Sequence, residues 1–75
     1  MTWHEISVIA KNRRKKLKLT QEQLAEKANV SIISVQRVEM GTKVSIKTLI
    51  KIVGVLNEKD EVISLEDIIE LSYLE

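Results

Sequence analysis

The sequence predicts a single all-α domain of five to six short helices. Its 75 residues include no proline and only two glycines, which favours helices joined by short connections. Apolar residues recur at three- and four-residue spacing, and these segments follow serine or threonine residues able to cap a helix. A chain of this length supports one core. We interpret residues 1–75 as one domain with a core over 3–56 and an acidic, apolar extension over 57–75.

The first helix is marked by its amino-terminal residues. Thr2 and Glu5 have the spacing of a capping box, and Met1 with Ile6 fits a hydrophobic staple across that cap. The apolar stripe that follows continues to Leu17. This pattern predicts a helix over 3–18.

Two shorter helices follow in the next segment. Thr20 and Gln23 form a second capping-box pair, which predicts a helix over 21–28. Asn29 tolerates the left-handed conformation and suits a tight turn. Ser31 can cap a third helix, which ends before Gly41, a glycine placed to terminate it.

In the last part of the chain, the sequence fits more than one secondary structure. Ser45 can cap a fourth helix over 46–56, whose apolar stripe is continuous. Asn57 and Ser64 are candidate caps for short acidic helices over 58–63 and 65–74. The segment EVISL, 61–65, is also rich in residues that favour strands, so helix and strand both stay open there.

Charge is distributed unevenly along the chain. Residues 1–18 carry six basic side chains and one acidic one, whereas residues 57–75 carry one lysine and seven acidic side chains. This layout gives the amino-terminal part a field suited to polyanions and the carboxyl-terminal part the opposite field.

Several function classes are disfavoured by composition. The chain has no cysteine and a single histidine, His4, and its acidic residues lack calcium-loop spacing, so neither a metal nor a cofactor is expected. No nucleophile–histidine set or phosphate-binding glycine loop is present, so an enzyme is not expected. The longest apolar run, 52–56, is far too short to span a bilayer, and a cytoplasmic protein with no membrane partner is expected.

The spacing over about 20–40 is that of a helix-turn-helix. Two short helices are joined by a turn of about three residues, Ala25 is small enough for their closest approach, and Asn29 suits the turn. Val35 is placed to be buried against the first of the two helices.

The segment LTQEQLAEKANVSIISVQRVEMG, 19–41, resembles the helix-turn-helix of the Xre family of phage-repressor and Cro-like DNA-binding proteins. The similarity extends over about 6–56. It implies a lambda-repressor-like five-helix domain that binds operator DNA, usually as a homodimer. The chain departs from the family pattern at Asn29, where glycine is usual, and at Ile32 and Ile33, where polar residues are common.

The resemblance implies that the third helix, at about 32–40, lies in the major groove. An isoleucine there can contact a thymine methyl group, and Arg37 can form a bidentate contact with guanine. In an alternative interpretation, Ile32 or Ile33 instead completes the core beside Val30 and Ile46. The base-reading positions implied are Ser31, Ile32, Ile33, Ser34 and Arg37.

Phosphate contacts are assigned to two helix starts. Gln21 begins the second helix and matches the family's backbone-clamping glutamine, while Lys43, Ser45 and Lys47 surround the start of the fourth. Gln36 could reach either the DNA backbone or a base. For these side chains the alternative is a solvated surface position.

Arg14 and Glu39 match the internal ion pair of the same family, between the first helix and the end of the third. We assign both residues to the stability of the domain and not to DNA contacts. Breaking such a buried pair would leave the remaining charge without its partner.

The apolar tail predicts a further contact. Leu65, Ile68 and Ile69 share one helix face and are expected to cover the core, whereas Leu71 and Leu74 lie off that face. The excess apolar surface predicts a homodimer through residues 58–75.

The leading functional hypothesis is a sequence-specific regulator of transcription, acting as a repressor at a palindromic operator in double-stranded DNA, in the cytoplasm and at the nucleoid of a prokaryotic or phage system. The alternative hypothesis is a protein-interaction module, such as an antitoxin-like partner-binding protein on a helix-turn-helix scaffold. The exposed isoleucine pair and the apolar, acidic tail favour this alternative.

Overall fold

The fold is all-α, as the sequence predicts. A computed structural model describes residues 1–73, and within them the chain forms five α-helices and no strand. The helices are α1 (Trp3–Lys16), α2 (Gln21–Ala28), α3 (Ile32–Glu39), α4 (Ile46–Leu56) and α5 (Leu65–Tyr73). Each of these helices is too short and too polar to cross a lipid bilayer.

The starts of the helices are fixed by side-chain caps. Thr2 accepts a hydrogen bond from the Glu5 N–H at 3.1 Å, and the Glu5 carboxylate accepts one from the Thr2 N–H at 2.8 Å. Thr20 and Gln23 form the same reciprocal pair at 3.0 and 2.9 Å. Both capping boxes expected from the sequence are therefore confirmed. Each satisfies backbone donors that a helix start leaves unpaired. Simpler serine caps begin α3 and α4, at Ser31 and Ser45.

The ends of the first three helices share one motif. Lys18, Asn29 and Gly41 have φ angles of 59°, 56° and 77°. After α1, the Lys18 N–H donates to Lys15 O and the Leu19 N–H donates to Arg14 O, which is the paired pattern of a Schellman motif. The same pattern follows Asn29 and Gly41. The helix predicted over about 3–18 ends two residues earlier, at Lys16, since Lys18 leaves the helical conformation.

The core is shared by all five helices and the connection that precedes α5. Ile6, Leu24, Leu49 and Leu56 are fully buried, as is Ile63 in that connection. Burial of this kind contributes about 1.5–3 kcal/mol for each large aliphatic side chain. The extension after residue 57 thus takes part in the core and is not an appended tail.

The predicted helix over 58–63 does not form. Asn57 Oδ1 accepts hydrogen bonds from the N–H groups of Val62, at 2.9 Å, and Ile63, at 3.2 Å, while Asn57 Nδ2 donates to Ile63 O at 2.7 Å. These three bonds hold the connection in an irregular loop that buries Ile63 completely. Residues 61–64 are neither helix nor strand, and the final helix begins at Leu65.

The orientation of α5 differs from the prediction. Ile68 and Leu71 are its buried residues, whereas Leu65 and Ile69 are exposed. The predicted inward face of Leu65, Ile68 and Ile69 is wrong in two of its three members, and Leu71 lies inside, not outside. The expected exposure of Leu74 and the predicted helix end at residue 74 lie outside the described residues.

Candidate nucleic-acid interface

Helices α2 and α3 form the helix-turn-helix. Each has eight residues, and residues 29–31 connect them. Ala25 is almost completely buried and Val35 is fully buried, as the close approach of the two helices requires. Asn29 has the left-handed conformation expected of the turn. Its φ angle fixes the direction in which α3 leaves α2.

Helix α3 has one inward and one outward face. Val35 and Val38 are buried, whereas Ile33 has 62% of its surface exposed and Arg37 is also exposed. Ile33 and Arg37 are separated by four residues, so they lie on the same side of the helix. An apolar side chain and a guanidinium group are thus presented together to the solvent.

The other predicted base-reading residues are less exposed or already engaged. Ser31 caps α3, accepting the Ser34 N–H at 3.2 Å, and the two serine hydroxyl groups lie 3.0 Å apart. Ile32 is half-buried and packs against the core, as the alternative interpretation allowed for one of the two isoleucines. Ile32 also lines an open groove of about 610 Å³ between the start of α2 and α3, together with Gln21 and Gln36.

Gln21 is held by a network that reaches α1. Its Nε2 donates to Glu39 Oε1 at 3.2 Å, and Glu39 also accepts from Arg14, at 2.7 Å from Nε and 3.0 Å from Nη2. The third nitrogen of the guanidinium group, Nη1, donates to Leu19 O at 2.9 Å. One arginine therefore joins α1, the α1–α2 connection and the end of α3.

The ion pair at the centre of this network is largely buried. The Glu39 side chain is 2% exposed and that of Arg14 is 12% exposed. The hydrogen bonds that Arg14 donates to Glu39 raise the pKa of Arg14 above its ordinary value. Because both carboxylate oxygens of Glu39 are engaged, the position of Gln21 at the start of α2 is coupled to the position of α3.

A second group of predicted phosphate contacts surrounds the start of α4. Lys43 and Lys47 are exposed on either side of the Ser45 cap. Ser45 Oγ accepts the Thr48 N–H at 3.1 Å and donates to Thr48 Oγ1 at 2.9 Å, so its hydroxyl group is used inside the helix cap. The remaining donors at this helix start are its backbone N–H groups, which with the two lysines suit an anion.

Sequence reasoning missed two features of this surface. It did not identify the Gln21–Glu39 hydrogen bond, and it assigned Thr20 only to the cap of α2 and not to the groove that Thr20 lines with Gln21. The position of Thr20 immediately before Gln21 was the available signal for the second of these. Among residues 1–73, no group of three or more histidine, cysteine, aspartate or glutamate side chains is placed to hold a metal ion.

The α2–turn–α3 unit, with the exposed Ile33 and Arg37 on its second helix, defines the class of the protein as a helix-turn-helix domain. The helix-turn-helix family model HTH_3 matches residues 11–63, which is most of the chain. The protein belongs to this Xre/Cro/lambda-repressor-like family, whose members are DNA-binding regulators. No curated protein and no solved structure matches the chain significantly.

Proposed function

We propose that this protein represses transcription by binding a specific palindromic operator in double-stranded DNA. The observation that carries the proposal is the outward face of α3, which exposes Ile33 and Arg37. The starts of α2 and α4 are suited to phosphate. The protein would act at the nucleoid of a prokaryotic or phage system. We propose no enzymatic role, since the chain lacks a nucleophile–histidine set and a phosphate-binding glycine loop.

Base recognition is assigned to the amino-terminal part of α3 and to Arg37. Arg37 would form a bidentate contact with a guanine, and Ile33 would contact a thymine methyl group. Half-buried Ile32 would contribute only its exposed edge, and Ser31 and Ser34 would offer hydroxyl groups that now contact each other. Because Ile33 would contact thymine and Arg37 would contact guanine, we expect an operator half-site that contains both bases.

Phosphate binding is assigned to Gln21, Gln36, Lys43, Ser45 and Lys47. Gln21 Nε2 uses one hydrogen for Glu39 and keeps the other for a phosphate oxygen. Ser45 would act through its backbone, because its hydroxyl group serves Thr48. These contacts would fix the register of α3 on the duplex without reading its sequence.

A selection from random DNA duplexes, followed by footprinting, tests this function. We expect one enriched motif and an affinity that falls by about two orders of magnitude or more between 50 and 200 mM salt, as several phosphate contacts require. Failure to enrich any motif at low salt, or an affinity independent of salt, would contradict the proposal.

The dimer is proposed to form through α5. Leu65, Ile69 and Tyr73 are exposed by 62%, 44% and 82% and follow one another at helical spacing along its outer side. This stripe replaces Leu71 in the predicted dimer contact within 58–75, because Leu71 is buried in its own domain. A two-fold pair could place its α3 helices in major grooves about 34 Å apart.

Sedimentation of the full chain tests the dimer. The Ile69→Glu variant should shift the protein toward monomer, whereas Val8→Ser should not, although Val8 on α1 is similarly exposed at 48%. A wild-type chain that stays monomeric at high micromolar concentration, with and without DNA, would remove the dimer from the proposal.

A second candidate function is a protein-interaction module of the antitoxin-like type. The observation that favours it is the same α5 stripe, which lies among Glu66, Asp67 and Glu70 and suits a basic, apolar partner segment. An antitoxin that represses its own operon would combine both functions. DNA selection that fails, together with saturable binding of a basic amphipathic peptide that Ile69→Glu abolishes, would favour this candidate.

A further inference from the structure

A separate pocket lies between the ends of α1 and α2 and the connection that precedes α5. Its volume is about 560 Å³. Basic side chains dominate its lining, with two acidic side chains from the connection. These are Arg13, Lys16, Lys18, Lys27 and Lys59 on the basic side, and Glu58 and Asp60 on the acidic side. We call it the Arg13 pocket.

Arg13 is a buried cation with an unused donor. It is 7% exposed, and its Nε donates to Leu56 O at 2.9 Å, which fixes the guanidinium group against the end of α4. Its Nη2 is buried and has no hydrogen-bond partner among residues 1–73. Asp60 Oδ2 lies 3.9 Å from Nη2, which is too long for a hydrogen bond. Arg13 and Asp60, the two residues joined by this contact, both line the pocket.

We propose that the Arg13 pocket binds a small phosphate-bearing anion, either inorganic phosphate or a phosphate monoester. A fixed guanidinium group matches the geometry of phosphate oxygens, and the surrounding lysines supply charge around it. The cavity has the size of pockets that hold small molecules. The anion would take the place near Nη2 that the Asp60 carboxylate, 82% exposed, only approaches.

A small anion fits this pocket better than the backbone of DNA. Lys27 lies in the last turn of α2, six residues after Gln21 and therefore about 9 Å further along the helix axis. Glu58 and Asp60 at the pocket would repel a continuous polyanion. Glu58 already pairs with Lys27 at 3.9 Å, so a single small anion near Nη2 would meet mainly the repulsion of Asp60. This inference does not depend on the proposed operator function.

Titration of the folded full-length chain with inorganic phosphate, followed by NMR, tests the pocket. Sodium chloride keeps the ionic strength constant, so that general screening does not mimic binding. We expect a saturable shift of the Arg13 Nε–Hε resonance together with the backbone amides of Lys27 and Lys59. The same titration with glycerol phosphate distinguishes a phosphate monoester from free phosphate as the preferred ligand.

Two variants and one matched control sharpen the test. Lys27→Gln should weaken phosphate binding about two- to fivefold, as the loss of one exposed charge allows. Lys51→Gln removes the same charge from an exposed position on α4 outside the pocket and should change nothing. Asp60→Asn should strengthen binding, because it removes the carboxylate that competes for Arg13. All three substituted side chains are exposed, so folding should be preserved.

Three results would overturn the proposal. The first is a phosphate shift that is not saturable or that Lys51→Gln weakens as much as Lys27→Gln. The second is an unchanged or lower affinity in Asp60→Asn, which would assign Arg13 to a simple ion pair with Asp60. The third is displacement of phosphate from the pocket by duplex DNA, which would make the pocket a backbone contact.

Discussion

Helices α3 and α5 both bury one apolar face and leave an isoleucine in solvent, but they differ in surrounding charge. Ile33 on α3 lies on the same side as Arg37, and the first turn of α3 contains no acidic residue. Ile69 on α5 lies among carboxylates, including Glu66 and Glu70. Exposed apolar area alone therefore does not identify a partner. The neighbouring charge favours DNA for α3 and a protein surface for α5.

The two helices also differ in how they are anchored. Helix α3 is held by buried valines and by the bidentate ion pair between Glu39 and Arg14. Helix α5 is held by apolar contacts of Ile68 and Leu71 and by an ion pair between the Met1 amino group and Glu70, at 3.2 Å, in which Glu70 is exposed. The ion pair of α3 is bidentate and nearly buried, so it constrains direction as well as distance more strongly than the exposed pair of α5 does.

The largest effect is expected from breaking the ion pair of α3. Glu39→Ala should lower the free energy of unfolding by about 3–5 kcal/mol, because it leaves the nearly buried Arg14 guanidinium group without its carboxylate partner. Urea denaturation measures the change. Glu66→Ala on exposed α5 is the matched control and should stay within about 0.5 kcal/mol. Equal effects of the two substitutions would show that the ion pair does not anchor α3.

The apolar anchoring of α5 gives the next effect. Leu71→Ala should lower the free energy of unfolding by about 2–5 kcal/mol, since it leaves a cavity beneath α5. Ile69→Ala, on the exposed side of the same helix, should cost less than about 1 kcal/mol. Both are measured by urea denaturation at a fixed protein concentration. A reversed order would mean that the buried face of α5 is the one first predicted.

A substitution of Arg37 tests whether α3, and not α5, is the surface that binds DNA. Arg37→Ala should weaken operator binding by about 1–3 kcal/mol and relax the preference at one base pair, while leaving the unfolding free energy nearly unchanged. Lys47→Ala should weaken all sequences about equally and reduce the salt slope by about 1. Tyr73→Ala on α5 should leave the selected motif intact. A motif unchanged by Arg37→Ala would show that α3 does not read DNA as proposed.

The smallest effect concerns the starts of the two helices. The Ser64 N–H donates to Asp67 Oδ2 at 3.0 Å, and this bond, together with that to the Ser64 hydroxyl group, lowers the pKa of Asp67. A lowered pKa means that ionised Asp67 stabilises α5 at pH values above the pKa of about 3.9 that it has in the unfolded chain. This contribution is lost as the pH falls through the lower pKa of the folded state. The Ser31 cap of α3 has no such group.

Amide hydrogen exchange between pH 5 and 3 detects this difference. The first turn of α5 should lose protection before the first turn of α3, and Asp67→Asn should remove the pH dependence at α5. Loss of protection at both helices together would contradict the assignment, since it would indicate global unfolding.

The starts of the helices could be predicted from sequence because capping is local. Thr2 with Glu5, and Thr20 with Gln23, each satisfy backbone groups within one turn, so their spacing is sufficient evidence. The end of α1 could not be predicted in this way. Lys18 takes a left-handed conformation that its residue type disfavours, and only the surrounding structure determines it.

The loop before α5 and the face of α5 depend on distant contacts. The sequence predicts Asn57 as the cap of a helix over 58–63, but its side chain bonds the backbone of Val62 and Ile63 so that Ile63 enters the core. On α5 the apolar residues outnumber the positions on one face, so helical periodicity fits more than one orientation. Packing against the rest of the domain selects Ile68 and Leu71.

The candidate interface was predictable to a similar degree. The outward positions of Ile33 and Arg37 follow from helical spacing and from the resemblance to repressor proteins. The half-buried position of Ile32 and the bond between Gln21 and Glu39 required tertiary structure, because both depend on where the start of α2 lies relative to α3.

The left-handed residue between α2 and α3 has a consequence for how operator recognition can diverge among descendants of this chain. Asn29 contacts no base in the proposed complex, yet its φ and ψ angles of 56° and 48° fix the direction in which α3, the proposed base-reading helix, leaves α2. A β-branched replacement would be strained there, whereas glycine and aspartate adopt this conformation more easily. Such exchanges could retune which operator is preferred while every side chain that faces the DNA stays the same.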